Sequence, residues 1–117
     1  MINLILPKPP SWNSLYRHNG YTVYMTSKGK DYIEDCGWRI RQLLGTPDPI
    51  TVPVMLELTL YTCRDMDLDN SLKIIGDILS KHTHLIEDDK LITHIMAHKV
   101  RVKKSQEKVE ITLSTDF

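Results

Sequence analysis

Alternation of apolar and polar residues predicts five strands along the chain. The cleanest case is 54–61, where Val54, Leu56, Leu58 and Leu60 alternate with more polar neighbours, as in a strand with one buried face. The same period of two, together with the Asn19-Gly20 turn signal, predicts the remaining strands. These lie at residues 2–6, 21–25, 91–102 and 107–113.

A period near 3.6 predicts two helices. The first runs from Thr26 or Ser27, either of which can cap it, to about Leu44, where Gly45 and nearby prolines end it. The second covers about 70–81, with an acidic first turn that suits the helix dipole. Between these elements we expect a proline-stiffened loop at 11–18 and a polar connection at 82–90.

The order of these elements predicts one α+β domain over residues 1–117. Strands and helices mix without a regular βαβ repeat, so we expect a mixed or mostly antiparallel sheet packed against two main helices. Hydrophobic residues make up 41% and charged residues 26% of the 117 residues, which is an ordinary globular mix. Two cysteines without CxxC spacing and no membrane-length apolar run favour a cytoplasmic protein with no membrane partner.

Formal net charge is zero, but the charges are unevenly distributed. Residues 57–89 hold eight acidic and three basic side chains, a balance that suits a divalent cation. Residues 97–108 hold five basic side chains against one acidic, which suits a phosphate backbone. The alternative for the basic run is a plain solvated face. Its candidate DNA contacts are Lys99, Arg101, Lys103 and Lys104.

The most informative cluster is a group of acidic residues between the end of a predicted strand and the start of the second predicted helix. Asp67 and Asp69 are two residues apart, so in extended backbone their carboxylates point to one side, and Lys73 follows one helical turn later. Asp88 and Asp89 lie in a turn before the next strand. The helix is roughly 18 Å long, and residues 82–89 span roughly 26 Å when extended. We therefore expect the chain to be able to return Asp89 to the start of the helix.

Clustered carboxylates of this kind repel one another unless a cation neutralises them, and all-oxygen ligands favour Mg²⁺ or Mn²⁺. The structural alternative is an N-capping Asp followed by an acidic surface turn. A calcium loop starting at Asp65 is excluded, because Asn70 and Gly76 occupy positions that need Gly and Glu. Zinc is disfavoured, because neither histidine pair has a cysteine at ligand spacing.

The segment 11–18 mixes aromatic side chains with donors to phosphate. Asn13 and Arg17 can contact DNA, with Arg17 the stronger candidate because a guanidinium grips phosphate bidentately. Equally, Trp12 and Tyr16 can simply plug the core.

Taken in order, these motifs resemble the RusA family of Holliday junction resolvases. LPKPPSWNSLYRH at 6–18 is similar to the family's proline-rich opening, and the helix after Thr26 falls where the family has one. The D-x-D-N-x-x-K pattern matches Asp67, Asp69, Asn70 and Lys73, and the EDDK turn at 87–90 puts Asp89 in the position of the third essential carboxylate.

This resemblance implies a homodimer that binds four-way DNA junctions and makes paired, symmetric, Mg²⁺-dependent nicks, leaving ligatable ends. In that picture Asp67, Asp69 and Asp89 bind the metal and Lys73 assists catalysis. The chain departs from one member of the family in having only Arg64 before Asp65, where that member has a run of arginines. Two alternatives remain open at this point: a branched-DNA-binding module that does not cut, and a less selective Mg²⁺ nuclease of flaps or forks.

Overall fold

The computed structural model describes residues 1–117 and contains six strands and three α-helices. In chain order these are β1 (Ile2–Leu6), α1 (Trp12–Leu15), β2 (Tyr16–Asn19), β3 (Thr22–Met25), α2 (Ser27–Leu44), β4 (Val54–Thr62), α3 (Leu68–Asp77), β5 (Ile92–Arg101) and β6 (Lys108–Ser114). One π-helical turn, Ile78–His82, continues α3. Short 3₁₀ turns, Asp89–Leu91 and Lys104–Gln106, precede β5 and β6. No helix is both long and apolar enough to cross a membrane.

Four strands form one mixed sheet in the order β1-β6-β4-β5, which confirms the predicted α+β class. β6 pairs antiparallel with both β1 and β4. β5 pairs parallel with β4, from Val54 opposite Ile92 to Thr62 opposite Arg101. Parallel neighbours need a crossover, and α3 supplies it. The molecule thus contains one β-α-β unit, which the sequence pattern did not predict.

Alternation along the central strand places the core on one face of the sheet. Leu56, Leu58 and Leu60 are all at most 1% exposed, and burying each such side chain contributes about 1.5–3 kcal/mol. α2 buries Tyr32 and Cys36 against the same core. Burial raises the pKa of the Cys36 thiol to about 11, so the thiol stays protonated at neutral pH.

The segment predicted as a loop at 11–18 is ordered instead. The backbone N–H groups of Ser14 and Leu15 donate to the Ser11 carbonyl, forming the single turn of α1. Leu15 then buries its side chain to 1% exposure, which anchors the turn in the core. A four-residue helix is too short to give a periodic signal, so its existence depends on that tertiary contact.

The connection at 82–90 was predicted to be polar, and this was wrong in part. Leu85 and Ile86 are buried to 2% and 0% exposure. Ile86 donates its N–H to the Leu79 carbonyl and bridges Ile50 in parallel. His84 adopts a φ of 53°, which turns the chain back towards the core. Two adjacent apolar residues carry no periodicity, so the pattern could not reveal them.

β2 and β3 form a separate hairpin that is closed at its base. Thr26 donates its backbone N–H to the Leu15 carbonyl at 2.8 Å, and its hydroxyl caps α2 by accepting from the N–H of Gly29. A Cβ on Gly29 would lie 2.9 Å from the Leu15 carbonyl oxygen, so only glycine allows this close approach. At the tip, Gly20 has a φ of 63°.

Candidate functional site

The start of α3 holds the first two predicted carboxylates. Asp67 is the N-cap, and its Oδ1 accepts the backbone N–H of Asp69 at 2.9 Å. Its Oδ2 accepts from the side-chain amide of Asn70 at 3.2 Å. These bonds fix the orientation of the Asp67 carboxylate while leaving its remaining lone pairs available. The N-cap interpretation is therefore correct, and it is compatible with a ligand role.

Asp69 and Lys73 follow on the exposed surface of α3. The Lys73 ammonium lies 5.6 Å from the centroid of the Trp12 ring, within the range of a cation–π interaction. Trp12 in turn packs against Tyr16, with ring centroids 4.4 Å apart. The aromatic pair of the opening segment therefore contacts the predicted catalytic lysine.

Beside the first turn of α3 lies a polar cleft of about 650 Å³, which we call the basic cleft. Residues 64–67 and Asn70 form one wall, and the segment 8–14 forms the other. Its cationic lining residues are Lys8, Lys28 and Arg64.

A second concavity of about 260 Å³, the apolar depression, lies along the later turns of α3. Leu72, Lys73, Gly76 and Asp77 line it from the helix, and Asp89 lines it from the turn before β5. Leu56, Ile92 and Ile95 complete the lining. Lys73 and Asp89 thus share one concavity, as the sequence predicted for members of one site.

The two carboxylates of the EDDK turn have different surroundings. Asp88 caps the 3₁₀ turn by accepting the backbone N–H of Lys90 at 2.9 Å. That bond holds the pKa of Asp88 below its usual range. Asp89 is exposed and forms no salt bridge within the chain. Since Asp88 is committed to the turn, Asp89 is the better placed of the two to receive a ligand.

The three predicted metal ligands do not meet within this chain. No group of three or more His, Cys, Asp or Glu side chains is close enough to hold a metal ion. The reason lies in the crossover. Asp67 follows the end of β4, whereas Asp89 precedes Ile92, which pairs with Val54 at the opposite end of β4. The expectation that the chain returns Asp89 to the helix start is therefore wrong for a single copy.

The predicted DNA contacts are spread over the surface. Asn13 lines the basic cleft, whereas Arg17 is exposed on β2 outside it. Lys99 donates to a carboxylate oxygen of Asp65 at 2.7 Å and to the Met66 carbonyl at 2.9 Å, so it anchors the segment before Asp67. The salt bridge to Lys99 lowers the pKa of Asp65. Arg101, Lys103 and Lys104 are exposed at and after the end of β5.

Sequence reasoning missed Lys8 and Lys28 as members of the site. Lys8 donates to Glu107 at 2.7 Å, and Glu107 also accepts the backbone N–H of Cys63 at 2.9 Å. Lys28 lies in the first turn of α2. It lines the cleft because α1 packs against α2 and brings residues 8–14 next to it. Lys8 lies within the proline-rich opening but carries no charge pattern of its own, and the partners of Lys28 in the site are distant in sequence.

The donor chemistry of the acidic residues suits a hard divalent cation. Asp67, Asp69 and Asp89 are all exposed, and none of them forms a salt bridge in this chain. Carboxylate oxygens of this kind suit Mg²⁺ or Mn²⁺. Asp67 and Asp69 both stand at the start of α3, but Asp69 lies in the first helical turn and not in the extended backbone predicted for it, and the third predicted ligand lies elsewhere on the same copy.

Fold and site together define a small α+β domain that presents an acidic helix start beside a basic cleft. Residues 7–114 match the family described as Endodeoxyribonuclease RusA. The chain belongs to the RusA family, which confirms the resemblance inferred from its motifs.

Curated relatives agree with this assignment. The chain is 36% identical, over 88 residues, to a protein of Enterobacteria phage HK97 named crossover junction endodeoxyribonuclease rusA, covering 73% of this chain and 71% of the relative. It is 30% identical, over 115 residues, to a crossover junction endodeoxyribonuclease RusA of Escherichia coli O139:H28, covering 96% and 92%. The protein of the same name from Escherichia coli K12 is 28% identical over 93 residues, covering 79% and 78%.

Proposed function

We propose that this chain is a Mg²⁺-dependent endonuclease that resolves four-way DNA junctions as a homodimer, by paired symmetric nicks in DNA recombination and repair. The observation that carries the proposal is the acidic start of α3 beside the basic cleft, in a chain of the RusA family. Relatives that match 73% and 96% of the chain are named crossover junction endodeoxyribonucleases.

The acidic residues give the proposal its chemistry. Asp67 and Asp69 would hold the metal together with Asp89, and Asn70 keeps the Asp67 carboxylate in place. Bound Mg²⁺ would activate water and stabilise charge on the phosphodiester. Lys73 adds a positive charge close to the same helix face, where it can offset negative charge on the phosphate or transfer a proton. Its contact with Trp12 limits the directions in which the ammonium can point.

Two features support a homodimer. β5 is a ten-residue edge strand, and its Ile95 and Met96 remain 56% and 49% exposed. A long, exposed edge strand that carries such apolar side chains is a surface that another chain readily pairs with or covers. In addition, one copy separates Asp89 from Asp67, and a second copy related by a two-fold axis can bring the missing carboxylate to each site. Two such sites would produce two symmetric cuts.

DNA contacts outside the active site would come from two groups of residues that can donate to phosphate. Asn13 and Arg17 belong to the opening segment next to α3, and the exposed cations Arg101, Lys103 and Lys104 extend the surface at the end of β5. Lys99 would act through its bonds to Asp65 and Met66. Phosphate contacts of this kind position a junction without reading its sequence.

The test is incubation of the purified protein with a synthetic four-way junction, with and without Mg²⁺, and with Asp69→Asn in parallel. We expect paired nicks from the unaltered chain with Mg²⁺, and junction binding without nicking from the variant. Equal activity of the variant would contradict the assigned site. Binding without any cutting would favour the DNA-binding module, and equal cutting of flaps, forks or linear duplex would favour the less selective nuclease.

A further inference from the structure

The basic cleft has a charge balance that favours an anionic ligand. Two of its charged residues are already neutralised, because Lys8 pairs with Glu107 and Asp65 pairs with Lys99, each at 2.7 Å. Lys28 and Arg64 line the same cleft and form no salt bridge in the chain, and Asp67 is the one carboxylate there without a salt bridge, so the cleft keeps a net positive charge. These two cations are therefore free to bind phosphate.

The wall formed by α1 adds an aromatic surface to this charge. Trp12 lines the cleft, its ring centroid lies 4.4 Å from that of Tyr16, and the Lys73 ammonium lies 5.6 Å from it, so both neighbours restrict the movement of the ring. A tryptophan that is already held loses little side-chain freedom when a flat ligand stacks on it. Base stacking on such a residue is tolerant of sequence, because every base has a π-face.

The size and position of the cleft narrow the choice of ligand. About 650 Å³ falls within the range of sites that enclose a small molecule of nucleotide size. Asp67 lies on the rim of the cleft, so a strand bound there passes directly by the acidic start of α3. Paired bases in an intact duplex cannot reach a tryptophan in a cleft, whereas an unpaired nucleotide can.

We propose that the basic cleft binds one unpaired nucleotide of a DNA strand next to the cut, with its base stacked on Trp12 and its phosphates at Lys28 and Arg64. This inference rests on the proposed function, because it names how the same site holds its substrate. It accounts for the two free cations and for the position of Trp12 between the cleft and Lys73.

The test uses the tryptophan itself as the probe. The chain has two tryptophans, so Trp38→Phe leaves Trp12 as the only one. In this background, Ca²⁺ replaces Mg²⁺ to prevent cutting, and the ligands are a synthetic four-way junction and a short single-stranded oligonucleotide. We expect both ligands to quench the fluorescence of Trp12, and blunt linear duplex to quench it far less.

Charge variants supply the matched comparison. Lys28→Glu should weaken junction binding at least fivefold and reduce the quenching, whereas Lys30→Glu, exposed on the same helix but outside the cleft, should change binding less than twofold. Trp12→Ala should weaken binding about tenfold, and Trp12→Phe should recover most of it. Circular dichroism checks that each variant is folded.

Equal effects of Lys28→Glu and Lys30→Glu, or no quenching by either unpaired ligand, would overturn the inference. If the unaltered chain still cuts junctions in that case, the proposed function stands and only the cleft assignment fails. If single strands quench Trp12 and no junction is cut, the cleft assignment stands and the proposed function fails.

Discussion

The basic cleft and the apolar depression are both walled by α3, yet they offer a ligand different surfaces. Only two of the 14 residues lining the cleft are hydrophobic, whereas four of the eight lining the depression are. A polar, positively charged cleft suits a flexible anionic strand, and a half-apolar depression continuous with an exposed edge strand suits a protein surface. The successive turns of one short helix thus present different surfaces because they face different neighbours.

The division also separates the predicted site residues. Asp67 belongs to the cleft, whereas Lys73 and Asp89 belong to the depression. The proposed metal site needs all three carboxylates, so a second copy of the chain must bring Asp89 to Asp67 and Asp69. The predictions below test that division, beginning with the largest expected effect.

Asp89→Asn should lower the rate of junction cutting at least about 100-fold, since it removes a charged ligand while keeping the side-chain size. The measurement is single-turnover cleavage of a labelled four-way junction. Asp88→Asn is the matched control, because that carboxylate caps the turn through Lys90. It should cost less than about fivefold, through a weakened cap. The reverse order of effects would move the ligand role to Asp88.

Mixing Asp69→Asn chains with Asp89→Asn chains should restore cutting that neither variant shows alone. If each site combines Asp69 of one copy with Asp89 of the other, a mixed dimer keeps one site with both carboxylates intact. We expect single nicks and not paired ones. After statistical mixing about half of the dimers contain one copy of each variant, and each of these has one intact site of two, so about a quarter of all sites are active. Continued absence of nicks would place all three carboxylates of each site on one chain.

Ile95→Lys should weaken self-association at least about tenfold. The side chain is 56% exposed on the edge strand β5 and lines the depression, so a lysine there puts a charge into any interface built on it. Light scattering after size-exclusion chromatography over a concentration series measures the dimer fraction. The control is Ile5→Lys on the opposite edge strand β1, where the side chain is 62% exposed. Equal weakening by both changes would argue against β5 as the contact.

Glu107→Gln should lower the free energy of unfolding by about 1–3 kcal/mol, because it removes the charge that accepts from Cys63 and Lys8. The backbone N–H of Cys63, followed by Lys8, lowers the pKa of Glu107 from 4.5 to about 2. The folded pKa lies below the unfolded value, so this stabilisation is complete above pH 4.5 and is lost as the pH falls towards 2.

Urea unfolding at pH 7 and at pH 3 measures both effects. The difference between the variant and the unaltered chain should shrink at pH 3. Glu110→Gln is the control, because its partner Lys108 is half-exposed and such a pair contributes less than about 1 kcal/mol. If the difference in unfolding free energy between the variant and the unaltered chain is the same at both pH values, the charge of Glu107 and its bonds to Lys8 and Cys63 are not what stabilises the fold.

Sequence patterning predicted five of the six strands and both long helices, but it missed β2, which lies mostly in the segment predicted as a loop and is largely exposed. The prediction is clearest where a strand has one buried face with a regular period. Leu56, Leu58 and Leu60 show this directly, since the same alternation that predicts β4 also buries it. α1 and the buried pair at Leu85 and Ile86 were missed, because both depend on contacts with residues far along the chain.

The set of site residues stays a prediction, whereas its arrangement within one chain was predicted wrongly. The motif spacing predicts that Asp67, Asp69, Lys73 and Asp89 form one set. The segment 82–89 is long enough to bring Asp89 to the start of the helix, and this length led to the prediction that they meet in one chain. Because β5 runs parallel to β4, it begins beside the start of β4, and Asp89 therefore lies far from Asp67. The length of a linker cannot reveal the direction of the strand that follows it. Lys28 joins the site through the packing of α1 on α2, which no local pattern encodes.

The closed base of the β2–β3 hairpin has a practical consequence for engineering. Thr26 and Gly29 tie the two ends of the hairpin to Leu15, so the strands between them leave and re-enter the body at one point. The hairpin tip at Gly20 is exposed, and exposed loop tips are the positions where inserted sequence is best tolerated. The hairpin tip is therefore a natural place to graft a fluorescent tag or a targeting peptide without rebuilding the sheet.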